Sequence, residues 1–419
     1  MEAPSTPRTF RALRHRNFRL FWLGQMISLA GSWMQMTAQA WLVLTLTGSA
    51  LKLGLVSALQ FTPVLLLTLY AGVLADRFPK RKILLLTQVS LALFAFALAF
   101  LTLSGQVRFW HVACLAALSG TARAFDAPAR QSFFVEMTGK EDLLNAVALN
   151  STIFNLARVV GPALAGVTIK ALGTGWAFLI NGLSFFAVIY ALWVMTVPDR
   201  ARRAGGRSAL GEIREGLAYI RGTPAVLGVI VLLGAISTLA LNLNVLVPLL
   251  AREVLELDSS GYGFLMSALG AGALLGSVGL ATYGTEGRQA RLIVAGAVLL
   301  GTGEVALGLV GSPVLAAVVL FGCGAAMVTY LASSNTSVQT AVPDELRGRV
   351  MSVYFLVFGG VTPLGAFLTG ALAERLGTPA AFGVVGSLSV MAALAAAGFW
   401  RLVPSRGRTS KEAPPRQPI

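Results

Sequence analysis

The residues of this chain that could do chemistry stand in or beside long apolar stretches. Asp76 closes one such stretch and is followed by Arg77, Phe78, Pro79, Lys80, Arg81 and Lys82. A carboxylate at the end of an apolar run needs a cation or a helix N-terminus as partner. Asp126 sits near the end of another stretch, within Arg123-Ala124-Phe125-Asp126-Ala127-Pro128-Ala129-Arg130-Gln131, placed to meet Arg77 or Arg81. Arg158 lies about fifteen residues into a third stretch, close to mid-depth at ~1.5 Å per residue. A charge at that depth is costly and marks a functional candidate. It either holds an anionic group of a substrate or pairs permanently with a carboxylate or carbonyls of a neighbouring helix. Glu304 is the carboxylate nearest the middle of a stretch, and Gly301, Gly303 and Gly308 around it point to close packing. It is read either as a protonated structural glutamate or as a proton-coupling site.

Uncharged polar residues add a pattern. Gln25, Ser28, Ser32, Gln35 and Gln39 fall on one face of a helix, and Leu, Ile, Met and Trp cover the others. In hydrocarbon such a face needs partners or water. A cavity is the favoured reading, with interhelical hydrogen bonding as the alternative. Asn150, Asn155 and Arg158 precede Gly161, Pro162 and Gly166 on another helix. Proline removes a backbone donor and kinks the helix, while the glycines permit close approach.

No set of residues supports catalysis. His15 and His111 share no neighbourhood with cysteines or acids, so no metal site is expected. No phosphate-binding Gly-x-x-x-x-Gly-Lys-Ser/Thr occurs, and no cofactor is implied. Cys114 and Cys323 fall in different stretches, which excludes a disulfide framework and reads as buried small hydrophobes.

The elements that hold these groups are membrane helices. The chain is 56% apolar and 12% charged with a mean hydropathy of +0.74, against about 25% charged in soluble domains. Twelve spans are expected, over 18–46, 51–75, 83–104, 109–129, 143–169, 176–197, 225–250, 260–284, 292–310, 314–336, 350–373 and 378–400. About 26 of the 33 Lys and Arg fall at the chain ends and in the connections after even-numbered spans. This positive-inside bias places both termini in the cytoplasm, makes anionic inner-leaflet lipid a partner, and argues against nucleic acid.

The domain organisation follows. A basic arm, 1–17, precedes a six-helix bundle, 18–197. A cytoplasmic linker, 198–223, leads to a second bundle, 224–403, and a basic tail, 404–419. The arm, with no small-residue cleavage site, reads as a short helix on the inner leaflet, and the first span as a retained anchor. In the linker, Leu210, Ile213, Leu217 and Ile220 recur at helical spacing, as in an amphipathic surface helix.

Gly72-x-x-x-Asp76-Arg77-x-Pro79-Lys80-Arg81-Lys82 resembles the loop between the second and third helices of Major Facilitator Superfamily transporters, with Pro79 where that family usually has Gly. The six-plus-six layout is similar to that fold, whose halves are parallel repeats. Gly161-Pro162-x-x-x-Gly166 resembles the fifth-helix motif of its drug-exporting antiporters, short of the last glycine. Trp22-Leu23-Gly24-Gln25, Gly31-Ser32-Trp33-Met34-Gln35, Pro128-Ala129-Arg130-Gln131, the stretch from Asn145 to Gly166, and Val342 to Val350 carry a likeness to the enterobactin-exporter and macrolide-efflux branch.

The resemblance implies a monomeric carrier in the inner membrane that exports an amphiphilic small molecule, siderophore-like or drug-like, by alternating access driven by protons. It also implies a cytoplasmic gate of Asp76, Arg77, Arg81 and Asp126. Asp126 would do double duty, latching when ionised and releasing when protonated, with Glu304 as second coupling candidate on a peripheral helix. The alternatives are a binding or sensing protein that keeps the fold without transport, and a carrier for another solute.

Overall fold

The structure is a computed structural model that describes residues 8–196, 209–283 and 287–402. The basic tail, residues 198–208 of the linker, and the side chain of Asp76 lie outside the described residues. A 3-10 helix, Arg8–Arg14, leads into α1 (Arg16–Thr47), α2 (Ala50–Arg77), α3 (Lys80–Leu103), α4 (Phe109–Thr138), α5 (Leu143–Leu172) and α6 (Thr174–Val194). The amphipathic α7 (Ala209–Gly222) follows, then α8 (Pro224–Leu239), α9 (Leu243–Leu249) and a π-helical turn, Leu250–Val254. The remaining helices are α10 (Ser259–Tyr283), α11 (Gln289–Leu307), α12 (Pro313–Ala341), α13 (Asp344–Gly360), α14 (Thr362–Leu376) and α15 (Thr378–Leu402).

Ten helical segments among the described residues are long and apolar enough to cross a membrane. Two of them are composite: α8, α9 and the π turn form one, and α13 with α14 another. Helices α1 and α4 are as long, at 32 and 30 residues, but more polar. The glutamine stripe dilutes α1, and Arg123, Asp126 and Arg130 dilute α4. That polarity is tolerated because it is turned inward: Gln25, Ser28, Gln35, Gln39 and Asp126 are all buried.

Short connections force consecutive helices to run antiparallel. Gly48, at φ +60°, ends α1 in the left-handed conformation, and the Ser49 hydroxyl accepts from the Lys52 amide at 3.2 Å to start α2. Helices α1–α6 pack mainly on one another, as do α8–α15, and the two sets meet through α2 against α14 and α5 against α10. One face of the molecule carries the 3-10 arm, the α2–α3 and α4–α5 connections and α7; it is called the arm face below, and its opposite the far face.

The structure corrects two expectations, the surroundings of His15 and the burial of Cys114, and adds detail to the arm and to α5. The arm is fastened to the α4–α5 connection. Arg11 and Arg14 reach Asp142 at 2.9 and 3.0 Å, His15 joins them at 2.8 Å, and the Ala12 amide donates to Asn145 Oδ1. The carboxylate is almost wholly covered, so it draws in the arm's cations. His15 thus shares a neighbourhood with an acid, while Nδ1 of His111 accepts from the Arg108 amide. Cys114 is exposed on α4, whereas Cys323 is buried. Helix α5 continues on both sides of Pro162, and its glycines give the close approach expected of them. A side chain at Gly161 would collide with Trp33 of α1, and one at Gly166 with Ser259 and Ser260 of α10.

Helix α7 packs on α13 rather than on α1–α6. Its Ile220 is buried, Glu215 pairs with Arg349, and the Tyr219 hydroxyl donates to the Ala341 carbonyl.

Candidate functional site: a central cavity and its charged surroundings

A cavity of about 860 Å³ lies between the two sets of helices, with walls from α1, α2 and α5 on one side and α9, α10, α12 and α13 on the other. Its surface is mostly apolar, and Trp33, Phe61, Phe154, Tyr262, Met266 and Met327 are among the lining residues. Arg158 is the one charged residue among the described residues that line it. Its guanidinium lies 5.8 Å from the centre of the Trp33 ring, and Nη2 is 3.6 Å from Met327 Sδ.

The far side of the cavity is closed by contacts made possible by small residues. A side chain at Gly54 of α2 would collide with Ala366 and Gly370 of α14, and one at Gly263 of α10 with Pro162 and Gly166 of α5. Near mid-depth, Pro162 cannot donate to the Arg158 carbonyl. That carbonyl faces Gly270, while the Ser267 hydroxyl donates to the neighbouring Val159 carbonyl at 2.9 Å. Trp41 stacks on Tyr262 at 5.7 Å.

Charged residues finish the closure at the far face. Glu374 of α14 accepts from the Ser49 hydroxyl and the Leu51 amide, both at 3.1 Å, and so sits on the N-terminus of α2. Lys170 of α5 meets Asp258 at 2.8 Å. That contact, with the Ser260 hydroxyl and the Gly261 amide, holds the Asp258 carboxyl well below the usual carboxylate range.

Toward the arm face the two sets separate. The cavity extends to Leu65 and Thr68 on α2 and to Ser352 and Phe355 on α13. Helix α10 has no buried residue from Leu274 to Thr282, in contrast to its tightly packed first half. The cavity is therefore shut at the far face and open at the arm face.

A second polar cluster lies inside α1–α6. Asp126 Oδ1 accepts from Thr87 Oγ1 at 3.1 Å and Gln88 Nε2 at 2.8 Å, and Oδ2 pairs with Arg130 at 3.1 Å. Arg130 also donates to Gln25 Oε1 at 3.3 Å. Arg123 Nε and Gln25 Nε2 are buried there without a hydrogen-bond partner among the described residues. Lys80, itself buried, pairs with Glu136 at 2.8 Å and fastens the start of α3 to the end of α4.

These positions revise the expected site. Asp126 is paired with Arg130, one turn along its own helix, and not with Arg77 or Arg81. Arg81 instead caps α6 through the Leu192 and Trp193 carbonyls at 2.6 and 2.9 Å, and Arg77 is exposed. The glutamine stripe divides. Gln39 lines the cavity and donates to Gln60 at 3.1 Å, whereas Gln35 accepts from Asn181 of α6 at 2.6 Å. Gln25 serves Arg130, while Ser28 is buried and Ser32 half-buried away from the cavity. Asn155 bonds the Ser151 carbonyl of its own helix, and Asn150 does not line the cavity.

Glu304 is fully buried among α11, α12 and α15, with both carboxyl oxygens lacking a hydrogen-bond partner among the described residues, and is not in the cavity wall. Sequence reasoning missed Trp33 and Gln60 as wall residues and Lys170, Asp258 and Glu374 as closing residues. The first two were hidden among apolar neighbours, and the last three looked like ordinary loop charges.

A two-sided cavity of this kind, with one mouth shut, defines a membrane carrier. Residues 7–416 match the family model described as transmembrane secretion effector, and the chain belongs to that family of Major Facilitator transporters. It is 30% identical over 369 residues to the multidrug efflux pump Tap of Mycolicibacterium fortuitum, covering 84% of this chain and 88% of that one. It is 24% identical to the staphyloferrin A transporter of Staphylococcus aureus, covering 88% and 92%. The fold is similar to that of a POT family transporter solved with a thioalcohol-conjugated peptide, with a TM-score of 0.74, 11% identity, and 92% and 96% of the two chains covered. The chain is thus a multi-pass membrane transporter and not an enzyme.

Proposed function

We propose that this protein is a monomeric secondary active exporter of an amphiphilic small molecule, siderophore-like or drug-like, working by alternating access and driven by protons. The observation that carries the reading is the asymmetry of the central cavity, walled by both halves of the chain, closed beyond mid-depth and open toward the arm face. A binding or sensing protein has no need of a closure built from helix-on-helix contacts of Gly54 with Gly370 and of Gly166 with Gly263. The names of the relatives, a multidrug pump and a siderophore transporter, support export of a small amphiphile.

In this reading α1 and α4 complete a set of twelve spans in two six-helix bundles. Their polar faces are buried in the first bundle, so they cost little in lipid. The cation asymmetry puts the arm face, α7 and both termini in the cytoplasm, with anionic lipid at that surface. The state described is then inward-facing.

Proton coupling is assigned to Asp126. It is buried, and its charge is balanced by Arg130 with Arg123 close along the helix. Protonation would leave two cations without a counter-charge, a change large enough to move helices. In the outward-facing state the α2–α3 loop, with Asp76, Arg77 and Arg81, closes the arm side.

The test is flux in proteoliposomes loaded with anionic, neutral and cationic amphiphilic fluorophores. At least one is expected to exchange in a protein-dependent, saturable way and to accumulate when a pH gradient is imposed. Saturable binding with no protein-dependent flux of any bound compound would identify a sensor instead.

A further inference from the structure

Relatives named for drug efflux and for siderophore transport leave the cargo's charge open, and the cavity bears on it directly. Arg158 is the one cation in a wall that, among the described residues, has no Asp, Glu, Lys or His. Among the described residues its side chain meets no carboxylate; its neighbours are the Trp33 ring and the Met327 thioether. Arg158 is half-buried, and a guanidinium held there without a counter-ion is costly, a cost that falls when an anion is bound beside it.

The structure also holds the group in place. Gly270 and Ser267 of α10 lie against the backbone of residues 158 and 159, and Trp33 supplies a ring face for the cation. A guanidinium fixed in this way keeps N–H donors for a planar anion, which a flexible ammonium would not match.

The rest of the wall sets the other end of the ligand. Trp33, Met36, Phe61, Phe154, Met266 and Phe355 offer an apolar, adaptable surface, and the polar groups present are uncharged amides and hydroxyls such as Gln39 and Gln60. A second negative charge would find no second cation among the described lining residues, and a cationic ligand would meet repulsion from Arg158. We infer that the cargo class is an amphiphilic monoanion, a carboxylate or sulfonate on an aromatic or aliphatic body, whose charged end docks on Arg158 and whose body lies across the Trp33–Met327 wall. Arg158 is then the residue that determines specificity. The inference rests on the carrier reading above and deepens it.

The test uses a matched pair of probes, dansylglycine and its uncharged amide, with the full-length protein in nanodiscs of neutral lipid. Wild-type protein is expected to bind the anion about ten-fold or more tightly than the amide, as befits a charge-assisted contact on a half-buried guanidinium. Arg158→Gln should remove that preference while leaving amide binding within about two-fold. Arg158→Lys should keep part of it.

Equal wild-type affinity for the two probes, or binding of neither, overturns the inference without recourse to any variant. Loss of both probes from a well-folded Arg158→Gln protein also overturns it, since Arg158 would then only shape the pocket. Flux separates this proposal from the one it rests on. Protein-dependent exchange without charge preference defeats the anion site alone, whereas anion-selective binding without any exchange defeats the carrier reading and leaves the site.

Discussion

Asp126 carries its charge inside a helical bundle, where its partners can be counted. One oxygen is held by Thr87 and Gln88 and the other by Arg130. Removing one member of a buried ion pair costs about 3–5 kcal/mol because the other charge is stranded, although Asn can keep the Thr87 contact. Asp126→Asn is therefore expected to lower thermal stability and to abolish gradient-driven accumulation while counterflow, which needs no gradient, persists. Accumulation at the wild-type level in that variant would remove Asp126 from the coupling scheme. Glu304 offers the contrast: its carboxyl has no cation partner among the described residues and no place in the cavity wall. Glu304→Gln should retain both counterflow and accumulation; loss of accumulation alone would shift coupling to α11. The arm gives a third case. Arg11, Arg14 and His15 converge on Asp142, and their hydrogen bonds, His15 first, lower its carboxyl from the usual value despite its burial. Because that shift is downward, the clamp is complete above the ordinary carboxylate range and is lost as pH falls through the lowered value. Asp142→Ala should free the arm at neutral pH, seen as several-fold faster trypsin cleavage at Arg11 and Arg14, and an unchanged rate would show that the clamp does not hold the arm.

Between helices, the closure at the far face combines glycine contacts with a few charges. The Lys170–Asp258 pair is largely exposed, so it contributes about 0.2–1 kcal/mol to the closed state. With the Asp258 carboxyl held below the usual range, that contribution is present at neutral pH and fades as acid protonates it. Asp258→Asn should raise the open population at the far face by at most about five-fold. Gly54→Val should act far more strongly, since its side chain would enter the Ala366 carbonyl and Gly370, and should disfavour the arm-open state altogether. Spin-label distances across the far face would register both changes, and a Gly54→Val protein with wild-type distances would show that this contact is not part of the closure. The legibility of these elements in the sequence was uneven for physical reasons. Hydropathy marks membrane helices wherever lipid faces them, so most spans lie close to their expected limits. It underrates α1 and α4, whose polar faces are buried. The stripe from Gln25 to Gln39 showed which face of α1 turns inward. It could not show that Gln35 meets Asn181 while Gln39 meets the cavity, because that depends on which helix is opposite. Arg158 was legible from depth alone, but its lack of a carboxylate partner among the described residues required the packing of α12 beside it. The Arg130 partner of Asp126 stood one helical turn away in the sequence and was passed over in favour of the loop arginines.

Across the whole molecule, alternating access requires a second arrangement in which the two halves exchange their contacts. The far-face seams open, and the arm-side surfaces of α2, α5, α10 and α13, now apart, come together. Helix α7 is fastened to α13 through Glu215 and Arg349, so it should travel with the second half as one body. The central claim is this exchange, and it can be tested without knowing the cargo. Cys114 and Cys323 are first replaced, and spin labels are placed on exposed connections in two pairs: Gln106 with Ser312 at the far face, and Lys140 with Arg288 at the arm face. Double electron–electron resonance in nanodiscs between pH 7.5 and about 5 then reads both faces. The account predicts two populations at each face that move in opposition: as the far-face pair lengthens, the arm-face pair shortens. A single, unchanging distance at both faces under all conditions would contradict it.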